Sequence, residues 1–302
     1  MPSDHDSYDV FLETWQPSRH LEHACLPSYI DDLGAQERLM QDIEAVGDVP
    51  RMKKHAAGYN GMQDDEAHLR RLAFLQEHQH DWAADFGERM ISYGVRAERL
   101  ETFIDGMANT WTRGFADRQQ SPLMRSVKSS IQAHDRLLHQ GTAGKFVIDD
   151  SDFGFEPLFD PKETAYLFLT NSEMLQYAIP DYLEALYGDQ SGATDKLYAR
   201  RGICMPHEPE ADRKEASYLS SFSLAIGPTE LFAQTMGRRI CTQIPCIVSC
   251  PIAALHDRVV AFAPFIKGMT LDQMEIVVAP PIRATPLHLH GKFGDIREYT
   301  FM

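Results

Sequence analysis

Leu271-Asp272-Gln273-Met274-Glu275-Ile276-Val277-Val278-Ala279-Pro280-Pro281 is the stretch on which the reading of the fold turns. A β-branched run that stops at two prolines reads as a strand from Gln273 to Val278. Alternation puts Gln273 and Glu275 on one face and Met274, Ile276 and Val278 on the other. The aliphatic set then faces a core, and a carboxylate and an amide project together into a cleft. Upstream, Leu219-Ser220-Ser221-Phe222-Ser223-Leu224 has the same period, so Ser221 and Ser223 share a face. Earlier still comes Tyr198-Ala199-Arg200-Arg201-Gly202, in which only one arginine can point into the cleft. The neighbouring glycine, which permits close backbone approach, favours Arg201. Each strand alone reads first as an edge strand with a solvated polar face; their order and spacing make the set specific.

An arginine strand, a serine strand and a late glutamate in this order resemble the arginine–serine–glutamate class of mono-ADP-ribosyltransferases. The resemblance covers roughly residues 190 to 285, about a third of the chain. It implies NAD as a substrate, with no metal, and assigns a role to each residue. Cleaving the nicotinamide–ribose bond develops positive charge at the ribose carbon, as in glycoside cleavage. A fixed carboxylate facing that charge lowers the barrier, a role that falls to Glu275. Ser221, supported by Ser223, orients the glutamate and the ribose. Arg201, with Gly202 beside it, binds the pyrophosphate through its planar charged fork. The segment Ala225–Gln234 opens on a Gly-Pro turn, with Thr229 as a helix cap, and offers Phe232 to stack on nicotinamide. Pro264–Thr270 falls where the family keeps its target-recognition loop; an exposed Phe265 would suit protein contact, and burial of the ring is the equal alternative.

Two departures from the family pattern narrow the expectation. The usual aromatic–Arg–Gly is interrupted by a second arginine. Gln273 stands where arginine-modifying transferases carry another glutamate, and a neutral amide cannot serve as a base. The resemblance therefore implies a catalytic site of Glu275, Ser221, Arg201 and Gln273 that modifies a non-arginine side chain, such as Asn or Thr. The partner it implies is a target protein, with host ubiquitin or a small GTPase among the candidates. A toxin or effector of this kind would reside in the bacterial cytoplasm or be delivered into host cytosol. The alternatives are an NAD glycohydrolase on the same site and a catalytically silent binding module.

At 302 residues, 43% hydrophobic and 24% charged, the composition is that of an ordinary globular protein. A formal net charge of −15 argues against nucleic acid or an anionic membrane surface as the main partner. No run approaches the roughly 20 apolar residues of a membrane span. The five cysteines are odd in number and show no metal-site repeat. Cys241, Cys246 and Cys250 lie in a β-branched stretch where free cysteine acts as a small hydrophobe. A nucleophile–base pair of Cys246 or Cys250 with His256 is the sharper alternative. His68, His78 and His80 read as a solvated face, and His288-Leu289-His290 as a pair without an evident third ligand.

The fold class expected is α+β, with a helical region before an ADP-ribosyltransferase-like split β-sheet core. Residues 1–64 are irregular, 65–143 helical with target recognition as a candidate role, and 144–302 the catalytic core. Leu69, Leu72, Leu75, Trp82, Phe86 and Met90 recur at helical spacing. Further helices are expected near 96–115 and 123–138, then at 161–169 and 172–187. Phe146–Asp150 reads as a strand or boundary. Trp82 and Trp111 read as core.

Overall fold

The computed structural model describes residues 66–111, 121–138, 155–187, 197–205, 219–224, 229, 233, 244–279, 288–293 and 296–300. The first 65 residues, the boundary near 143 and the Phe146–Asp150 segment lie outside them. Among the described residues, four α-helices precede the strands: α1 (Glu66–Ser92), α2 (Ala97–Asp105), α3 (Pro122–Leu138) and α4 (Pro161–Tyr187). Seven strands follow: β1 (Tyr198–Met205), β2 (Ser220–Ser223), β3 (Ile244–Pro251), β4 (Val259–Phe262), β5 (Glu275–Val278), β6 (His288–Phe293) and β7 (Ile296–Thr300). The protein is α+β, with its helices before a mixed sheet. No helix among the described residues is long and apolar enough to cross a membrane.

Helical periodicity carries through α1, where Leu75, Trp82, Phe86 and Met90 are buried. Leu69, at the head of the stripe, is exposed. The helix expected near 96–115 ends its α-helical part at Asp105 and continues as a π-turn, Gly106–Thr110, leading to Trp111. Gly106 lies close against α3 there: a Cβ would stand 2.4 Å from a methyl carbon of Leu123, which would have to turn aside.

The pair of helices expected at 161–169 and 172–187 is one continuous helix. Thr170 and Asn171 look like a polar break, but Asn171 is buried and its amide donates to the carbonyls of Leu167 (2.9 Å) and Val260 (3.1 Å). A side chain that reads as a helix stop thus stitches α4 to β4. At the N-terminus of α4, Asp160 Oδ1 accepts from the N–H groups of Lys162 and Glu163, and Glu163 Oε2 accepts from Asp160 N–H. This reciprocal cap, with Pro161 at the first helical position, is completed by Arg99 pairing with Glu163.

The strands are hydrogen-bonded in the order β4-β5-β2-β1-β3-β7-β6. β1 and β3 are matched through eight pairs, from Tyr198↔Pro251 to Met205↔Ile244, whereas β1 meets β2 at the single pair Arg200↔Ser223. One face of the sheet, carrying Ala199, Ile203, Phe222, Cys246, Val248, Cys250, Ile276 and Val278, joins residues of all four helices in one hydrophobic cluster. The helices and the sheet therefore share one core.

A buried ion pair secures this arrangement. Arg258, in the turn before β4, donates to both oxygens of Asp135 on α3 at 2.9 and 2.8 Å. Its guanidinium also lies 5.0 Å from the ring centroid of Phe168 on α4. Burial alone would raise the Asp135 carboxyl, but hydrogen bonds from His134 and Arg258, with the Arg258 charge, hold it below its ordinary value.

Candidate functional site

Directly paired residues in neighbouring strands present their side chains on the same face. Glu275↔Ser223, Ser223↔Arg200 and Arg200↔Ser249 therefore form one row across β5, β2, β1 and β3. The register continues from Ser249 to Thr300 on β7 and from Thr300 to His288 on β6. A polar row thus runs from β5 across β2 and β1 to β3.

Glu275 is its focus. The carboxylate is 3% exposed, and its Oε1 accepts hydrogen bonds from Ser221 Oγ and from Trp111 Nε1, the latter at 2.7 Å. Ser221 lies two residues from Ser223 on the same face and is the β2 residue that keeps partial exposure. A buried carboxylate needs such donors, since desolvation otherwise disfavours its charge. Two donors on one oxygen also fix its orientation. Ser223 Oγ does not reach the carboxylate; it donates to the Gln273 carbonyl at 2.6 Å.

The expected strand from Gln273 is shorter than the alternation argument requires. β5 begins at Glu275, and Met274 adopts φ 46°, a left-handed conformation that a non-glycine residue seldom takes. Met274 N–H bonds the Leu271 carbonyl, and its own carbonyl accepts from Leu224 N–H. A tight turn thus launches Glu275 into the sheet, and strand alternation does not place Gln273 beside it. Gln273 is half-buried at that turn.

The two arginines take opposite parities. Register gives Arg200 the position in the row, where it is 0% exposed. It donates to the Tyr198 carbonyl at 3.2 Å, with the Tyr198 ring 5.5 Å from its guanidinium carbon. Arg201 has the other parity and is half-buried, yet its Nη1 donates to the Ser221 carbonyl at 3.3 Å. Its side chain spans the seam where the β1–β2 ladder has narrowed to one pair. Both cations thus lie within a strand of Ser221, one in the row and one at the seam. Strands are spaced by about 4.8 Å, so Arg200 stands roughly 10 Å from the strands of both Glu275 and Glu298. Glu298 on β7 is buried and accepts from Ser249 Oγ.

Gly202 answers to the chain's own backbone. A Cβ at this position would lie 1.8 Å from the Thr229 carbonyl oxygen and 2.9 Å from Ala233 N. Ala233 also packs on Ile247, so Thr229 and Ala233 lie over Gly202 and Ile247 of β1 and β3. Phe232, between these contacts, lies outside the described residues. Phe265 is fully buried rather than offered for contact, with its ring edge-on to Trp82 (5.9 Å) and Phe262 (4.9 Å). Of the two readings open for this residue, burial holds: the aromatic completes the core between α1 and the turn after β4.

The cysteine alternative fails on the same grounds of burial. Cys250 is fully buried and its thiol is pushed well above the usual range, while His256 bonds the Ala253 carbonyl at 2.7 Å. A thiol held neutral in an apolar strand is a poor nucleophile. No group of three His, Cys, Asp or Glu among the described residues is arranged to hold a metal.

Trp111, Ser249 and Glu298 are residues around this row that sequence reasoning missed. Trp111 continues the stripe Leu100, Phe103, Met107, so its spacing reads only as core. The available signal was chemical: a buried indole N–H requires an acceptor. Comparison with family models, with curated proteins and with solved structures gives no match.

Proposed function

We propose that this protein is an NAD-dependent mono-ADP-ribosyltransferase that modifies a side chain of another protein and releases nicotinamide. The observation that carries this reading is the hydrogen bond from Ser221 to Glu275, in a polar row that also contains Arg200. NAD, as the substrate, would supply an activated ADP-ribosyl group with nicotinamide as its leaving group.

The residues suit that substrate. Glu275 is a carboxylate oriented by two fixed donors, suited to bind a ribose hydroxyl and to face the positive charge that grows as nicotinamide departs. Ser221, half-exposed, is the approach to it and holds its Oε1 in place. Arg201, half-buried at the seam, is the cation proposed to bind the pyrophosphate, with Arg200 adding to the local field. Gly202, Ser223 and Phe232 complete the expected binding set. The residue two before the glutamate is the amide Gln273 rather than a second carboxylate, which favours an Asn or Thr acceptor over arginine. The proposed partner is a target protein such as host ubiquitin or a small GTPase, reached by a bacterial effector or toxin in the host cytosol.

Phe265, being buried, offers no aromatic anchor to a protein target, which favours, as a second reading, NAD hydrolysis on the same site. Incubation of the full chain with labelled NAD and a host lysate separates the two. Transfer labels a protein band, whose acceptor residue mass spectrometry then locates. Hydrolysis consumes NAD and labels nothing. A chain that does neither defeats both readings.

A further inference from the structure

Glu275 is held by a donor from each of two distant parts of the chain. Ser221 comes from the neighbouring strand, 54 residues away; Trp111 comes from the helical region, 164 residues away. From this convergence we infer that Trp111 is a positioning residue for Glu275, and that the helical region is a structural part of the catalytic centre. The inference rests on the function proposed above and names a determinant outside its motifs.

The geometry gives Trp111 this role in three ways. Its Nε1–H lies 2.7 Å from Glu275 Oε1, an ordinary strong hydrogen bond to a charged acceptor. Its ring is 1% exposed and belongs to the core shared by helices and sheet, so packing limits the indole to few orientations. The residue follows the π-turn Gly106–Thr110, where Gly106 lets α3 approach closely. Such π-turns recur at functional sites because they redirect a side chain without ending the helix. A donor carried on packed helices sets the carboxylate angle before substrate arrives, which is how preorganisation lowers a barrier.

The test uses the full chain and two independent readouts. The chain has three tryptophans, so it gives three indole N–H signals in a proton–nitrogen correlation spectrum, each assigned by its own Trp→Phe variant. Glu275→Gln should move the Trp111 signal by several linewidths and leave the Trp82 signal in place. An unmoved Trp111 signal overturns the contact, whatever the enzyme does. In the second readout, Trp111→Phe keeps the ring and removes the donor. It should lower kcat for NAD cleavage about 10- to 100-fold while KM for NAD stays within about twofold. Trp82→Phe, which removes another core indole, should leave kcat within about twofold. Equal losses in the two variants, or wild-type kcat in Trp111→Phe, overturn the positioning role. Should wild-type protein be inert toward NAD, the proposed function falls, and the indole signal still decides whether Trp111 holds Glu275.

Discussion

Ser221 on β2 donates its hydroxyl hydrogen to Glu275 on β5 across a sheet that first has to bring together residues 54 positions apart. The pair sits diagonally on one face, since Ser221 is registered opposite Val277 and Glu275 opposite Ser223. A small hydroxyl at this position satisfies a nearly buried carboxylate without covering it. Glu275→Gln keeps the shape and removes the charge, and should reduce NAD cleavage on the order of 100- to 1000-fold with little change in NAD affinity. Ser221→Ala should give a smaller loss, about 10- to 100-fold. Steady-state kinetics with NAD as the varied substrate read both; a Glu275→Gln protein with wild-type turnover removes the glutamate from the mechanism.

The two arginines should separate under substitution because their surroundings differ. Arg201→Ala removes a half-buried side chain at the seam, so NAD affinity should fall about tenfold or more while melting temperature changes little. Arg200→Ala empties a fully buried position in the sheet and should lower the melting temperature by several degrees. Calorimetric titration with NAD and thermal unfolding of both variants decide the matter. If Arg200→Ala stays folded and alone loses NAD binding, the pyrophosphate role passes to Arg200.

Gly202→Ala tests whether the glycine serves the chain's own packing. Its new methyl would stand 1.8 Å from the Thr229 carbonyl oxygen, so the backbone at Thr229 must move. Overpacking of this kind costs about 1–3 kcal/mol, which for a chain of this size is a fall of several degrees in melting temperature. An unchanged melting temperature would show that this backbone yields freely and that the glycine is not required for packing.

Gln273→Ala leaves intact the bond it receives from Ser223, because that bond ends on the Gln273 main-chain carbonyl. Any effect therefore belongs to the amide side chain. NAD hydrolysis should persist and protein labelling should fall, as both assays run in parallel will report. Equal loss of the two activities would place Gln273 at the NAD site instead of the acceptor.

The Arg258–Asp135 pair predicts a pH dependence of stability. Asp135 is held below its ordinary value of 3.8 in the folded protein. Such a carboxyl contributes stability that is fully present above its unfolded pKa and is lost as pH falls through the folded one. Asp135→Asn should cost about 3–5 kcal/mol near neutral pH, because it leaves the Arg258 charge buried with a weaker partner. Denaturant unfolding at a series of pH values should show the gap between wild type and variant closing below about pH 4. A gap that stays constant to pH 2 would deny the pair this role.

Much of the local architecture follows from the sequence alone. Spacing of three and four in Leu75, Trp82, Phe86 and Met90 is a property of neighbouring residues, so it predicts α1 and its buried face. The same holds for the β-branched run that ends at Pro280-Pro281, and for Ser221 and Ser223 sharing a face. What spacing cannot reach is register, because the pairing of β2 with β5 or β1 is settled by segments tens of residues apart. Only that pairing aligned Glu275, Ser223, Arg200 and Ser249 in one row and gave Arg201 the other parity. The left-handed turn at Met274 shortened β5 and separated Gln273 from the alternation argument. Packing decided the rest. The Thr229 carbonyl occupies the space beside Gly202, Phe265 closes the core, and Trp111 meets Glu275 because the helices and the sheet bury one another. These contacts depend on where three-dimensional surfaces meet, and no short stretch of the chain carries that information.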